Sequence, residues 1–288
     1  MTQGRASEGS FARGVLFILS AAFFFALMNL FVRLSGDLPT MQKALFRNLV
    51  AAVVAAVAFV RSGERLRLDR RQATTLFARS AFGTVGLVCN FYAVDHMLVA
   101  DATILNKLAP FFVVLFSVPL LKETITRRDL LPVAIAFAGA VLVAKPSFSS
   151  EAIDSAVGFM GGLCAGIAYV CVRKLTLLGV PKALIVLCFS LFSCAVCLPF
   201  TVVEYTPMTP VQLALLLLCG VSAAIAQFSI TAAYAAAPGR EIAAFDYTQV
   251  VFVAVLSFVV LGEVPDALSL LGYALIIGAA VMRSVGRR

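Results

Sequence analysis

The chain has 288 residues, of which 61% are hydrophobic and only 13% are charged. A soluble domain needs about twice that share of charged residues to cover its surface, so the composition excludes an ordinary water-soluble protein, and it equally excludes a disordered chain. The net charge is +8, but the basic residues lie in short gaps between apolar segments rather than on one soluble face, which argues against nucleic-acid binding.

Ten apolar segments follow one another along the chain, joined mostly by short polar connections. Most are long enough to cross the hydrocarbon core of a bilayer as a helix, which takes about 20 residues. They cover residues 14–33, 42–60, 73–96, 101–121, 128–145, 155–173, 183–203, 210–235, 241–262 and 267–283. We therefore expect an all-α membrane protein with ten transmembrane helices, an N-terminal tail (1–13) and a C-terminal tail (284–288).

The Lys and Arg residues are distributed unevenly between the two ends of these segments. If both termini are cytoplasmic, 17 of them fall on the cytoplasmic side and 3 on the opposite side, while Arg47, Arg79 and Lys107 lie inside segments. Cytoplasmic loops of membrane proteins carry the excess of positive residues. The sequence thus predicts a multi-pass protein of the cell membrane with both termini in the cytoplasm and an even number of spans.

The two halves of the chain resemble each other after a shift of 140 residues. Between residues 110 and 141 the copies agree at ten of 32 positions, where this composition gives about three by chance. Each copy, 14–146 and 155–283, holds five spans, and an odd number turns the second copy upside down. Inverted repeats around a site at the membrane midplane are typical of alternating-access transporters, although a duplication without functional consequence is the alternative.

Short motifs recur in both halves. ADATILNKLAP (100–110) precedes LLKE (120–123), and FDYTQVVF (245–252) precedes LGEVPD (261–266). Together with the paired five-helix units, these motifs resemble the EamA branch of the drug/metabolite transporter (DMT) superfamily over nearly the whole chain. The resemblance implies two inverted five-helix repeats around a central cavity, moving small metabolites such as amino acids. The chain departs from the family in having no Trp in its first span.

Polar residues inside the spans are the candidates for a transport pathway. A charged group at the bilayer centre costs about 2.5–3.5 kcal/mol, so it normally faces the bundle interior or water. Lys107 and Asp246 are the strongest candidates, whereas Arg79 lies close enough to a helix end that snorkelling to the interface is an equal alternative. The predicted substrate-binding set is Lys107, Asp246, Asn106, Arg47, Asn29, Asn90, Gln227, Tyr234 and Gln249.

The depth of each candidate follows from a rise of 1.5 Å per residue. Lys107 is expected about 10 Å below the outer face and Asp246 about 8 Å above the inner face of a core about 30 Å thick. That separation predicts no direct ion pair. A zwitterionic metabolite would span the gap, with its carboxylate near Lys107 and its amine near Asp246. Asp246 is also the candidate for coupling to a proton, with an exchanged solute as the alternative.

Small residues recur at helical spacing on two spans. Arg79, Gly83, Gly86 and Asn90 share one face of the third span, which suits either a cavity wall or close helix packing. The tandem glycines 158, 162 and 166 of the sixth span favour packing, either within the chain or in a dimer, so a monomer and a homodimer both stay open.

The expected function is secondary active or facilitative transport of a small polar metabolite, an amino acid or a related compound, by alternating access. Export of amphipathic drugs or cations is the alternative. An intramembrane enzyme is a remote one, because it needs converging acids, bases, nucleophiles or metal ligands inside the spans. The one His, His96, lies at a span edge, and the seven Cys fall in apolar segments without metal-ligand spacing. We therefore expect no catalytic residue, cofactor or metal.

Overall fold

A computed structural model describes residues 2–64, 68–121, 150–236 and 245–285, together with 131, 134–135, 137–139 and 142. These residues form α-helices and contain no strand. In chain order the helices are α1 (Thr2–Leu34), α2 (Thr40–Ser62), α3 (Arg70–His96), α4 (Val99–Asn106), α5 (Ala109–Leu121), α6 (Ser150–Leu177), α7 (Lys182–Val203), α8 (Pro210–Ala236), α9 (Thr248–Leu261) and α10 (Ala267–Val285).

Most predicted spans correspond to one helix, but the fourth and the ninth differ. The fourth, 101–121, was expected as one helix and is broken into α4 and α5 at Lys107 and Leu108. In the ninth, 241–262, a turn at Tyr247 separates the helical residues Phe245 and Asp246 from α9, which begins at Thr248. The predicted N-terminal tail is helical and continuous with the first span. Most of the fifth predicted span lies outside the described residues.

Pro110 contributes to the break between α4 and α5. Pro110 has no N–H group and therefore cannot donate to the carbonyl of Asn106, one helical turn earlier. The chain instead tightens, with Leu108 N donating to Leu105 O at 3.1 Å. Pro110 then occupies the first turn of α5, where its missing donor costs little. The result is an irregular backbone at Lys107 in the interior of the helix bundle.

The surface is apolar and the interior holds charge, the reverse of a soluble protein. Val203, Val60 and Val259 are exposed by 83%, 77% and 74%, whereas Lys43 and Arg47 are each exposed by only 1%. Five helices in the described residues are long and apolar enough to cross a membrane: Phe11–Leu34, Thr40–Ser62, Ala152–Leu177, Lys182–Val203 and Pro210–Ala233. Lipid is therefore the solvent that this surface suits.

The helices pack in specific pairs. The main contacts are α1 with α8, α2 with α7, and α3 with α6, while α4 packs on both α6 and α9. The glycine face of α6 packs against other helices of the same chain, which is one of the two kinds of packing predicted for it. A Cβ on Gly162 would lie 2.5 Å from Leu105 O, so only glycine lets α6 lie directly against the end of α4. These pairings enclose the break at Lys107.

Candidate functional site

A polar cavity lies in the middle of the bundle, and eight helices and the break at Lys107 contribute to its wall. Its volume is about 70 Å³. The three charged residues of the lining, Arg47, Arg79 and Lys107, are all positive. The complete lining is Phe25, Met28, Asn29, Arg47, Arg79, Gly83, Gly86, Leu87, Asn90, Asn106, Lys107, Ala165, Ala168, Tyr169, Phe189, Gln227 and Gln249. We call this space the central cavity.

Lys107 and Asp246 form a direct ion pair, which corrects the expectation that they lie too far apart. Lys107 Nζ is 2.7 Å from Asp246 Oδ2, and both side chains are only 7% exposed. The depth estimate failed because it treated the fourth and ninth spans as straight, continuous helices. Both spans are interrupted near these residues, and the long lysine stem adds reach. The predicted separation between a cationic outer end and an anionic inner end is therefore wrong.

The two interrupted spans are tied to each other at this point. Tyr247 donates its hydroxyl hydrogen to Lys107 O at 2.8 Å, which satisfies a carbonyl at the irregular backbone. Tyr247 and Lys107 are equivalent positions under the shift of 140 residues, as are Asp246 and Asn106. Asp246 Oδ1 is buried and has no hydrogen-bond partner among the described residues. The pair is thus neutralised in charge but not saturated in hydrogen bonds.

Arg47 and Arg79 are buried without a carboxylate. Arg47 donates to Asn48 Oδ1 at 2.6 Å, and Arg79 donates to Gln227 Oε1 at 3.4 Å. Both guanidinium groups face the ring of Phe189, at 5.6 and 4.2 Å from its centre. Within the described part of the chain neither makes an ion pair, and neither Nε atom has a hydrogen-bond partner.

A chain of amides lines the cavity on the side of α1 and α3. Asn90 donates to Asn29 Oδ1 at 3.2 Å, and Asn29 in turn donates to Thr103 Oγ1 at 3.1 Å. All three residues are buried. The chain fixes how α1, α3 and α4 meet, and Asn29 and Asn90 also stand in the cavity wall.

The structure brings most of the predicted site residues together. The cavity wall contains Asn29, Arg47, Asn90, Asn106, Lys107, Gln227 and Gln249. Asp246 lies just behind the wall, paired with Lys107, and the side chain of Tyr234 falls outside the described residues. The predicted set omitted Arg79, Tyr169 and Phe189. The stripe of residues 79, 83, 86 and 90 indicated Arg79, since all four of its members line the cavity.

A second group of charges, which we call the ion-pair layer, consists of Arg33, Lys43, Asp95 and Glu263. Lys43 Nζ lies 2.7 Å from Asp95 Oδ1, and Arg33 Nη2 lies 3.4 Å from Glu263 Oε1. Glu263 Oε2 also accepts the backbone N–H of Val99 at 3.0 Å. The layer lies at the bundle end where α1, α3 and α9 finish and where α2 and α4 begin.

The ion-pair layer is close to the central cavity. Arg33 is four residues beyond Asn29 on α1, and Lys43 is four residues before Arg47 on α2. A spacing of four residues corresponds to about one helical turn, or 6 Å. The layer therefore covers the cavity at one end, the end that the cation distribution predicts to face outward.

Metal-ligating side chains do not cluster in the described ranges. No group of three or more His, Cys, Asp or Glu residues is positioned to hold a metal ion there. The seven cysteines are free thiols, distributed between buried and half-buried positions.

Comparisons with known proteins agree with this architecture. The model of the EamA-like transporter family matches residues 12–145 and, a second time, residues 155–285. A pseudopaline exporter, CntI, of Pseudomonas aeruginosa is 32% identical over 274 residues, which cover 94% of this chain and 95% of that protein. A riboflavin transporter of Brucella anthropi is 26% identical over 274 residues, covering 92% and 95% of the two chains.

A solved crystal structure shares the fold. It superposes with a TM-score of 0.74 at 18% sequence identity, over 96% of this chain and 99% of that one. The family model covers both halves of the chain, and the fold and the apolar surface agree with it. The protein therefore belongs to the EamA-like transporter family of multi-pass membrane proteins.

Proposed function

We propose that this transporter is secondary active or facilitative and carries a small polar metabolite, an amino acid or a related compound, by alternating access. The observation that carries the proposal is the central cavity. Buried charges and amides converge there from most of the helices, next to an interrupted helix, inside a body with an apolar surface. Unwound backbone inside a membrane protein is tolerated where it lines a cavity, and transporter sites are commonly built there.

We also propose that the two family matches are inverted repeats. In such repeats the first span is equivalent to the sixth, and the third span to the eighth. The operation that relates the repeats then converts the α1–α8 contact into the α6–α3 contact. Both pairs are main contacts of the bundle. The contact between α4 and α9 joins two equivalent spans, and the Lys107–Asp246 pair lies at that contact. This pattern supports a binding site at the axis that relates the repeats.

Alternating access requires an end that closes, and the ion-pair layer is suited to that role. The volume of the central cavity, about 70 Å³, is well below the roughly 300–1,000 Å³ of ordinary ligand pockets. In this conformation the cavity has room for only a few water molecules. A metabolite therefore enters only after helices separate, and separation at the covered end must part Arg33 from Glu263 and Lys43 from Asp95.

The relatives bear on direction more than on substrate. The name of the pseudomonad relative supports export as the direction of transport. The Brucella relative is named for riboflavin, so relatives of similar coverage differ in what they carry. The alternative of a drug or cation exporter is less favoured, because Arg47 and Arg79 of the cavity wall have no acidic partner among the described residues and repel a cation.

Transport by purified protein in liposomes tests the proposal, with a panel of labelled amino acids and dicarboxylates as probes. We expect saturable flux of at least one probe. The double variant Lys107→Met/Asp246→Leu should lose that flux while staying folded, since apolar residues of similar volume often replace a buried ion pair without loss of stability. Lys182→Met, at an exposed position on α7, is the matched control. Absence of flux in the wild type contradicts the substrate class, and full flux in the double variant contradicts the site.

A further inference from the structure

We infer that the central cavity binds a small dianion between Arg47 and Arg79, and that the substrate is accordingly a metabolite with two carboxylates. This inference rests on the proposed function and narrows it to one substrate class. It also moves the anion-binding groups away from Lys107, whose charge Asp246 already neutralises at 2.7 Å.

The charge balance of the cavity wall is the first argument. Of its three positive side chains only Lys107 has an acidic partner, which leaves two uncompensated charges in the described residues. Arg47 and Arg79 are 1% and 3% exposed. Burial of an ionised group without a counter-charge is costly, so a protein that keeps two such groups together needs a compensating ligand. Two negative charges restore neutrality.

The hydrogen bonds of the two arginines are the second argument. Each guanidinium is held by a neutral amide, Asn48 for Arg47 and Gln227 for Arg79. An amide oxygen orients the side chain but does not neutralise it. Both Nε atoms are buried and lack a partner in the described chain. Each arginine therefore keeps donors available for the planar, bidentate contact that guanidinium makes with carboxylate.

The position of Phe189 is the third argument. Both guanidinium carbons lie over this one ring, at 5.6 and 4.2 Å from its centre, so they stand no more than about 10 Å apart. Phe189 is 2% exposed and cannot move aside easily. The ring holds two like charges close together without an acid between them. A compact molecule with an acidic group at each end can contact both.

Thermal unfolding of the purified full chain in detergent tests this inference with four probes at equal ionic strength. Succinate carries two carboxylates, butyrate one and putrescine two amines, and inorganic phosphate, in buffer above neutral pH, is mainly a dianion without carboxylates. We expect succinate to raise the unfolding temperature of the wild type most, butyrate less, and putrescine not at all, because binding to the native state stabilises it. A larger effect of phosphate than of succinate, or any stabilisation by putrescine, overturns the inference, as does the absence of a succinate effect.

Variants locate the effect. Arg79→Gln and Arg47→Gln should each weaken succinate binding about 10-fold to 100-fold, the range for losing a charged hydrogen-bonded contact. Arg79→Lys should retain part of the affinity, because lysine keeps the positive charge but cannot make the bidentate contact of a guanidinium group. Arg71→Gln and Arg61→Gln, at exposed positions of the same helices, are the controls and should bind like the wild type. Equal losses in variants and controls contradict the assignment.

The outcome separates this inference from the proposed function. Succinate binding that depends on Arg47 and Arg79, without flux of any probe in liposomes, leaves the anion site standing and contradicts transport. Saturable flux of a neutral or cationic amino acid, with no dependence of binding on the two arginines, contradicts the anion site and leaves transport standing.

Discussion

The central cavity and the ion-pair layer both contain buried or half-buried cations, but they differ in how many of these cations have an acidic partner. In the ion-pair layer Lys43 has Asp95 and Arg33 has Glu263, each within ion-pair distance. In the central cavity, one helical turn away, Arg47 and Arg79 have only amides and an aromatic ring. Among the described residues, both cations of the ion-pair layer therefore have an acidic partner, whereas two of the three cations of the cavity wall have none.

This difference indicates two roles for positive charge in one bundle. A buried cation that pairs with an acidic side chain of the same protein joins two helices, and the ion pair offsets the free-energy cost of burying the charge. A buried cation without one leaves that cost to a ligand. Lys107 belongs to the first class although it lines the cavity, because Asp246 pairs with it. The comparison predicts that mutations of the two classes change stability in opposite directions.

The largest effect is expected for Asp95→Asn. The change leaves Lys43, whose side chain is 1% exposed, buried without a counter-charge. Breaking a buried pair from one side typically costs about 3–5 kcal/mol, so the unfolding temperature should fall clearly. The double variant Lys43→Met/Asp95→Leu, which removes both charges, should recover most of the loss. A single variant as stable as the wild type contradicts the structural role of this pair.

A smaller effect of opposite sign is expected for Arg47→Gln and Arg79→Gln without ligand. Each replaces an uncompensated buried charge by a neutral amide, which should raise stability by about 1–2 kcal/mol. Thermal unfolding of ligand-free protein measures this change. The exposed controls Arg61→Gln and Arg71→Gln should stay within about 0.5 kcal/mol of the wild type. Destabilisation of both cavity variants would place the two arginines in the same class as Lys43.

The smallest effect is expected for Arg33→Gln. The side chain of Arg33 is 32% exposed and its distance to Glu263 is 3.4 Å, so water screens the pair. Such pairs contribute about 0.2–1 kcal/mol, and added salt should reduce the difference from the wild type further. A loss as large as that of Asp95→Asn, or one that salt leaves unchanged, would show that the two pairs of the layer are equivalent.

Much of the fold could be predicted because it depends on local properties. Apolar segments of about 20 residues define spanning helices whatever their partners are, and the structure has helices at the predicted spans that it describes. The break at Lys107 was harder to predict from the sequence. Pro110 marks a place where a helix can be interrupted, yet a proline is also tolerated in the first turn of an intact helix. The choice depends on the packing of α4 between α6 and α9.

The candidate site shows the same division. Asn29, Asn90 and Gln227 could be predicted, because polar residues in an apolar span turn towards the interior. Phe189 could not be predicted as a site residue, because a Phe in an apolar helix does not indicate which side chains it contacts. The Lys107–Asp246 pair was wrongly excluded, because depth along a straight helix says nothing about an interrupted one. Only the packing of helices that are distant in sequence shows which cations have no acidic partner.

Accessibility of the central cavity from the two sides of the membrane tests the central claim most directly. In a background where the seven native cysteines are replaced by Ala, Ala165→Cys places one thiol in the cavity wall. Val203→Cys, at an exposed helix end, is the control and should react from one side only. We expect an impermeant maleimide to label Ala165→Cys from either side in right-side-out and inside-out vesicles, and succinate to slow both reactions. Labelling from a single side, or from neither, would contradict alternating access through this cavity.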